Sequence, residues 1–462
     1  MLRLWQNECI SNAVNHYKNG HSHFLAQATP GAGKTRMAAH LAKTLFDSDM
    51  IDLVICFSPS KTVASDIQKT FAAVLDCIFN GQVATLGCSM TYQSMQYIHR
   101  DFWKTISRYR VLCVFDEIHH CGGNEDSDNN SWGQTLVHDI QHTALYTLAL
   151  TGTPWRSDEL PISLLSYTDP EGKVICNYQY SLKQAVNDGV CRRPNITLID
   201  SDNISLQSNT KPEYFSSINA LIEKSNTHYS CVLNNDDALN TIIELAVNKL
   251  EAIRQISIET GGLIVAASII HAQKIIQILE QQFDQTCVLV TYKDKYSNRI
   301  IESFKHSDTQ WIVSIGMISE GTDIPRLQVC CHLSNIRTEL YFRQVLGRIL
   351  RTTNTANQEA WLYTFAESNL VQFAEQIEID IPESCSRITM FNNNDYSEHD
   401  KKHSQKLASH LTDNKAKDHC CTVDWESSEN TFISKSLDIQ TQHSELTLGK
   451  YHTRIISAFI YG

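Results

Sequence analysis

Residues 28–35 read ATPGAGKT, preceded by the apolar run HFLAQA (23–28) and followed by TRMAAHLAKTLF (35–46), whose apolar residues recur at helical spacing. A short strand that breaks at a glycine-rich turn and restarts as a helix predicts a phosphate loop. Gly31 and Gly33 let the backbone bend until successive amide N–H groups converge, and the following helix turns its positive end to the same point. Lys34 then supplies a fixed cation for the outer phosphates of ATP. Thr35, at the helix start, places a hydroxyl where it can coordinate a magnesium ion bridging those phosphates. Thr29, Pro30, Gly31, Ala32 and Gly33 complete the nucleotide cradle. Ala28 stands where such loops usually begin with glycine. The competing reading is an ordinary glycine-rich turn, and Lys34–Thr35 at this spacing argues against it.

Outward from the loop, DLVICFS (52–58), VATLG (83–87), VLCVFDE (111–117) and YTLAL (146–150) alternate with amphipathic stretches, the rhythm of a parallel sheet covered by helices. VLCVF is a continuous apolar strand, so Asp116 and Glu117 emerge together at the carboxyl edge of the sheet, beside the phosphate loop. Asp116 is assigned to magnesium and Glu117 to orienting the water that attacks the γ-phosphate. A charged turn is the plainer alternative. A second alternating block runs through GGLIVAAS (261–268), CVLVTY (287–292), QWIVSIG (310–316), VCCHLS (329–334) and EAWLYTFAE (359–367). The predicted organisation is a first domain over 1–198, a connection or insertion with a helix over 199–258, a second domain over 259–378 and a polar C-terminal extension over 379–462. In QVLGRILR (344–351), Arg348 and Arg351 lie three apart and share one helical face, with Gln344 beside them.

The chain has 462 residues, 42% of them apolar in type, enough for two α/β cores, and a formal charge of −12. That charge argues against a generally basic surface, so nucleic acid would have to be met in a local cleft. No stretch approaches the roughly 20 apolar residues of a membrane span, and the start MLRLWQNECI has no signal-peptide pattern. A cytoplasmic protein is expected, with most of its 15 cysteines sitting singly in apolar runs as buried thiols.

ATPGAGKT, DEIH (116–119), TGTP (151–154), GMISEGTDIP (316–325) and QVLGRILR stand in the order and approximate spacing of motifs I, II, III, V and VI of helicase superfamily 2. The chain resembles that family over about residues 2–367. The resemblance implies an α/β fold of two tandem RecA-like domains with parallel sheets, followed by the extension. It implies an ATP-dependent nucleic-acid motor in which Arg348 and Arg351 reach the γ-phosphate from the second domain and Gln344 steadies that face. By the same resemblance Gln6 in LRLWQNE reads adenine, an exposed helix glutamine being the alternative. Thr151 and Thr153 link hydrolysis to movement, Asp323 contacts ribose or the arginines, and Gly321 permits a tight loop. Nucleic-acid phosphates are expected at Ser58 and Ser60 of SPSKT, Thr91 of TYQ, Ser268 of AAS, and Thr322, although simple turns or helix caps account for each equally well.

The RNA-directed DEAD-box pattern of PTREL-like, SAT-like and HRxGRxGR-like motifs does not occur. TGTP with QVLGRILR instead resembles the branch holding type III restriction subunits and repair translocases. The reading is therefore a DNA helicase or duplex-DNA translocase using ATP and magnesium, with DNA favoured over RNA and protein partners through the extension. The alternatives are an ATP-switched binding or adaptor subunit of a restriction, defence or repair assembly, and an RNA helicase.

Overall fold

A computed structural model describes residues 2–82, 84–97, 100–118, 140, 143–152, 166–167, 174–207, 211–225, 227–291, 293–294, 296–316, 324–353, 357–377 and 445–457. The first sheet takes its strands from β1 (His23–Ala28), β2 (Leu53–Ser58), β3 (Gly87–Thr91), β4 (Val111–Asp116), β5 (Tyr146–Thr151) and, after a two-stranded ladder of β6 (Ser166–Tyr167) and β7 (Val174–Ile175), β8 (Tyr178–Tyr180). Their order is β3-β2-β4-β5-β1-β8, with every pairing parallel. Both faces are covered. Val54, Cys56, Leu112 and Val114 belong to one apolar cluster, while Ile55, Phe57, Cys113 and Phe115 belong to another. Burial on two faces is why these strands read as unbroken apolar runs rather than alternating ones.

The second sheet comprises β9 (Arg193–Gln207), β10 (Pro212–Phe215), β11 (Gly261–Ala266), β12 (Cys287–Thr291), β13 (Trp311–Ile315), β14 (Leu327–Leu333), β15 (Glu359–Phe365) and β16 (Glu445–Ser457). Its order is β10-β9-β15-β14-β11-β13-β12, and β16 pairs along β9. The inner strands are parallel, while β10 and β16 run antiparallel to β9. The α/β architecture of two tandem parallel-stranded domains follows the expectation.

The domain limits differ from the sequence reading. Strand β9 begins at Arg193 and runs through residue 198, so the second sheet starts inside the segment expected to belong to the first domain. The expected connection at 199–258 holds the rest of β9, its hairpin partner β10 and the long helix Asp236–Arg254, whose Leu239, Ile242, Ile243, Ala246 and Leu250 are buried. The polar residues alternating along PNITLIDSDNISLQ masked this strand, because a sheet position flanked on both sides tolerates buried Asn195, Thr197 and Ser201. In the extension, Glu445–Ser457 is likewise a strand of this sheet, from Glu445 opposite Gln207 to Ser457 opposite Asn195.

Candidate active site at the seam of the two sheets

The phosphate loop forms where the sequence places it. Strand β1 ends at Ala28, Gly31 and Gly33 take φ of 83° and 93°, and the helix Lys34–Asp47 starts directly behind Gly33. Only glycine adopts those angles without cost. The loop is braced from below by the first helix, Leu4–Lys18. Arg3 Nη1 donates to the Ala32 carbonyl at 2.7 Å, and Gln6 Nε2 donates to the Gly33 carbonyl at 2.9 Å. Gln6 is 2% exposed, so it is no surface glutamine. Its Oε1 accepts the Arg3 amide, which leaves one amide hydrogen and one lone pair of its inventory for a base edge.

Lys34 is buried and held between two acceptors, the Ala28 carbonyl at 3.2 Å and Glu117 Oε1 at 3.1 Å. The cation expected at the phosphates and the carboxylate expected at the water are thus paired with each other. Glu117 also accepts the Gly152 amide on Oε2 at 3.3 Å, tying the TGTP segment to the same carboxylate. Its backbone lies at φ 49°, a left-handed conformation that costs a side-chain-bearing residue about 1–3 kcal/mol and is kept at sites where surroundings impose it. Asp116 is 7% exposed at the end of β4, and Thr35 sits in the first turn of the loop's helix. Thr151 is fully buried at the end of β5, opposite Gln27 of β1.

The second sheet delivers Arg348 on the helix Glu339–Ile349, headed by the Thr338 side chain accepting the Tyr341 amide, and Arg351 just past its end. Gly347 faces Pro30 so closely that a methyl group there would sit 2.6 Å from the proline Cβ. A methyl on Gly31 would in turn meet Arg351 Cγ at 3.2 Å. Gln344 and Arg348 lie on that helix with Gly347, whereas Arg351, expected on the same helical face, falls two residues beyond the helix end, in a β-bridge with Cys191, because the helix stops at Ile349. Burial lowers the Arg351 guanidinium to about 10, the direction for a cation removed from water. The cavity along this seam, lined by Thr29, Pro30, Gly152, Arg343 and Leu350, measures about 20 Å³, room for one water.

Several positioning residues lie outside the motifs. Arg192 is buried and donates to the carbonyls of Leu327 and Ile349 and to Thr353 Oγ1, pinning the end of the arginine helix to β14. Cys191 places its thiol 3.7 Å from the Pro30 carbonyl. Arg343 pairs with Glu339 one turn earlier at 2.8 Å. Only Arg343 carries a local signal, the Glu/Arg spacing of four on a helix. Arg192 and Cys191 act through contacts more than 130 residues away, to which spacing is blind.

Of the expected nucleic-acid contacts, Ser60 and Ser268 occupy equivalent places. Each caps the helix that follows the carboxyl end of a parallel strand, accepting the amides of Val63 and His271. Ser58 is fully buried and donates to the Met90 and Ser60 carbonyls, and Thr91 Oγ1 accepts the Ser94 amide. Thr153, Gly321, Thr322 and Asp323 lie outside the described residues.

The residues present fit ATP and magnesium. The left-handed glycines and the helix start supply the anion cradle, and Thr35, in the first turn of that helix, and Asp116, at the end of β4, are the residues that would hold the magnesium. Among the described residues no group of three or more His, Cys, Asp or Glu gathers to hold a metal ion.

Residues 1–156 match the family model of the type III restriction enzyme res subunit, and residues 246–353 match that of the helicase conserved C-terminal domain. An uncharacterized protein of Mycobacterium leprae (strain TN) is 30% identical over 396 residues, covering 82% of this chain. The chain spans only 64% of that relative's length. Among solved structures, a fragment described as the HsdR subunit of a type I restriction enzyme from Vibrio vulnificus YJ016 is similar in fold. Its TM-score is 0.53 at 16% identity, over 82% of this chain and 67% of that one. The ATP-dependent Type ISP restriction-modification enzyme LlaBIII bound to DNA is similar at TM-score 0.52 and 16% identity, over 78% of this chain and 27% of that one. The two family matches fall one on each sheet, in the order the motifs run, so both sheets are similar to helicase superfamily 2, the first through the type III restriction enzyme res subunit and the second through the helicase conserved C-terminal domain.

Proposed function

We propose that this chain is a DNA motor that couples ATP hydrolysis to movement along the phosphate backbone of duplex or single-stranded DNA. The observation that carries this reading is the seating of the arginine helix of one sheet on the phosphate loop of the other, Gly347 on Pro30 and Arg351 on Gly31. A nucleotide entering the loop must negotiate that contact, so its arrival and loss change how the two domains meet.

Thr35 and Asp116 would hold a magnesium ion, which would neutralise part of the charge of the outer phosphates. Lys34 leaves Glu117 for the phosphates, and Glu117 is then free to hold a water in line with the γ-phosphorus. Arg348 and Arg351 neutralise charge that develops on the γ-phosphate only while the seam is closed. Ser60 and Ser268, each at a helix start, are placed to hold backbone phosphates from both domains, contacts that carry no sequence information. Closure moves the two serines relative to each other, which converts turnover into a step.

The test is ATP hydrolysis measured side by side with no nucleic acid, single-stranded DNA, duplex DNA and RNA. Stimulation by DNA is the expected result. Stimulation by RNA alone would move the chain to the RNA motors, and no stimulation by any of them would favour an ATP-switched adaptor. Binding should also weaken as salt rises, since neutralised phosphates release counterions.

A further inference from the structure

Strand β3 ends at Thr91, and the chain turns at once into a short 3-10 segment, Tyr92–Tyr97. That turn is tied off locally, Ser94 donating its amide to Thr91 Oγ1 and its hydroxyl to the Thr91 carbonyl. The Tyr92 ring points inward and is buried in the cluster that contains Phe57, Phe115 and Ile118. Its hydroxyl donates to the Asp116 carbonyl at 2.8 Å. Strand β2 lies between β3 and β4, so this one side chain spans a whole strand to reach the end of β4.

The carbonyl it holds belongs to the peptide between Asp116 and Glu117. Rotation of that plane sets the φ of Glu117, which is left-handed. A non-glycine residue stays in that region only where neighbours over-determine it. The Tyr92 hydroxyl is a neighbour of the required kind, a directional bond to the peptide itself, made from a ring locked in the core. Relaxation of the turn would swing the Glu117 carboxylate away from Lys34 and the Gly152 amide, where it now sits.

We propose that Tyr92 is a positioning residue for hydrolysis: its hydroxyl fixes the Asp116–Glu117 peptide so that the Glu117 carboxylate faces the phosphate loop. Because the same residue opens the turn that follows Thr91, an expected nucleic-acid contact, it also links the order of that turn to the carboxylate. The inference rests on the ATPase reading of the site.

Tyr92→Phe keeps the ring and removes the bond. The variant and the wild type are compared for kcat and KM in ATP hydrolysis with the stimulating nucleic acid, and for binding of a fluorescent ATP analogue. Hydrogen–deuterium exchange over residues 114–118 and the melting temperature are measured in the nucleotide-free proteins. The expected result is a fall in kcat of about 10-fold with KM and nucleotide affinity nearly unchanged, since outer partners of a site typically cost that much. Exchange over 114–118 should rise at nearly constant melting temperature. Ser94→Ala, which loosens the turn while leaving Tyr92 in place, should move kcat the same way by less. Unchanged kcat in Tyr92→Phe overturns the proposal, whether or not exchange rises, and so does a fall in kcat matched by a rise in KM and a loss of melting temperature. Absence of hydrolysis in the wild type itself would overturn the ATPase reading and the proposal with it, and is told apart because it needs no variant.

Discussion

The first sheet is parallel throughout and closes within residues 23–180, whereas the second opens with β9 and gives that strand two antiparallel partners, one of them β16 from beyond the rest of the sheet. The difference governs what each contributes. The first holds a cradle whose parts are set by neighbouring loops, and the second holds a helix that must be carried to that cradle. Chemistry should therefore be broken by single groups in the first sheet, and closure by shape and charge in the second.

The largest effect is expected across the seam. Arg348→Ala and Arg351→Ala should each lower stimulated turnover by about 1000-fold, the scale of a transition-state arginine, while leaving the melting temperature close to wild type. Normal stimulated rates in both would remove the second sheet from the chemistry and collapse the contrast.

Within the first sheet, Glu117→Gln should lower kcat about 100-fold and leave nucleotide binding intact or tighter, because Lys34 loses its anionic partner. Lys34→Ala should instead lose nucleotide binding. Equal defects in binding for the two variants, read by a fluorescent nucleotide, would show that the paired groups do not have separate tasks.

Gly347→Ala sharpens the comparison by changing shape alone. Alanine favours the helix by about 1 kcal/mol, yet its methyl would press on Pro30 at 2.6 Å. Overpacking of this kind costs about 1–3 kcal/mol. Stimulated turnover should fall about 10-fold with stability retained; an unchanged rate would mean that the seam yields at no cost.

The smallest effect is a slope in pH. Burial holds His271 and His332, both in the second domain, neutral down to about 4 against an ordinary value of 6.5. The unfolded chain binds those protons first as pH falls, so stability is full above about 6.5 and declines from there toward 4, by about 1.4 kcal/mol per pH unit for each histidine. Guanidinium unfolding between pH 7.5 and 4.5 should show this loss, and His332→Leu should flatten it. A slope untouched by that substitution would place the acid sensitivity elsewhere.

The legible parts of this molecule are those in which neighbours in sequence do the work. ATPGAGKT and VLCVFDE announce the loop and the carboxylates because strand, turn and helix follow each other directly. QVLGRILR announces its helix, but Gly347 reads there only as a weak point until Pro30 is seen against it. The pairing of Lys34 with Glu117 was not legible, since it depends on how two side chains turn across the sheet. Strands β9 and β16 were hidden for a related reason. Their polar alternation looks like irregular chain until each is placed beside a partner about 250 residues away, Asp200 opposite His452 being one such rung.

That ladder also sets an order of events during synthesis. The first sheet has all its strands once Tyr180 has been made, and can form while translation continues, as domains generally do from the N-terminus. The second cannot cover the flank of β9 until Ser457 has emerged. For the whole of that interval the ribosome holds a nascent chain with a finished phosphate loop and an unfinished second sheet, so the cradle is complete before the sheet that carries the helix Glu339–Ile349 has its last strand.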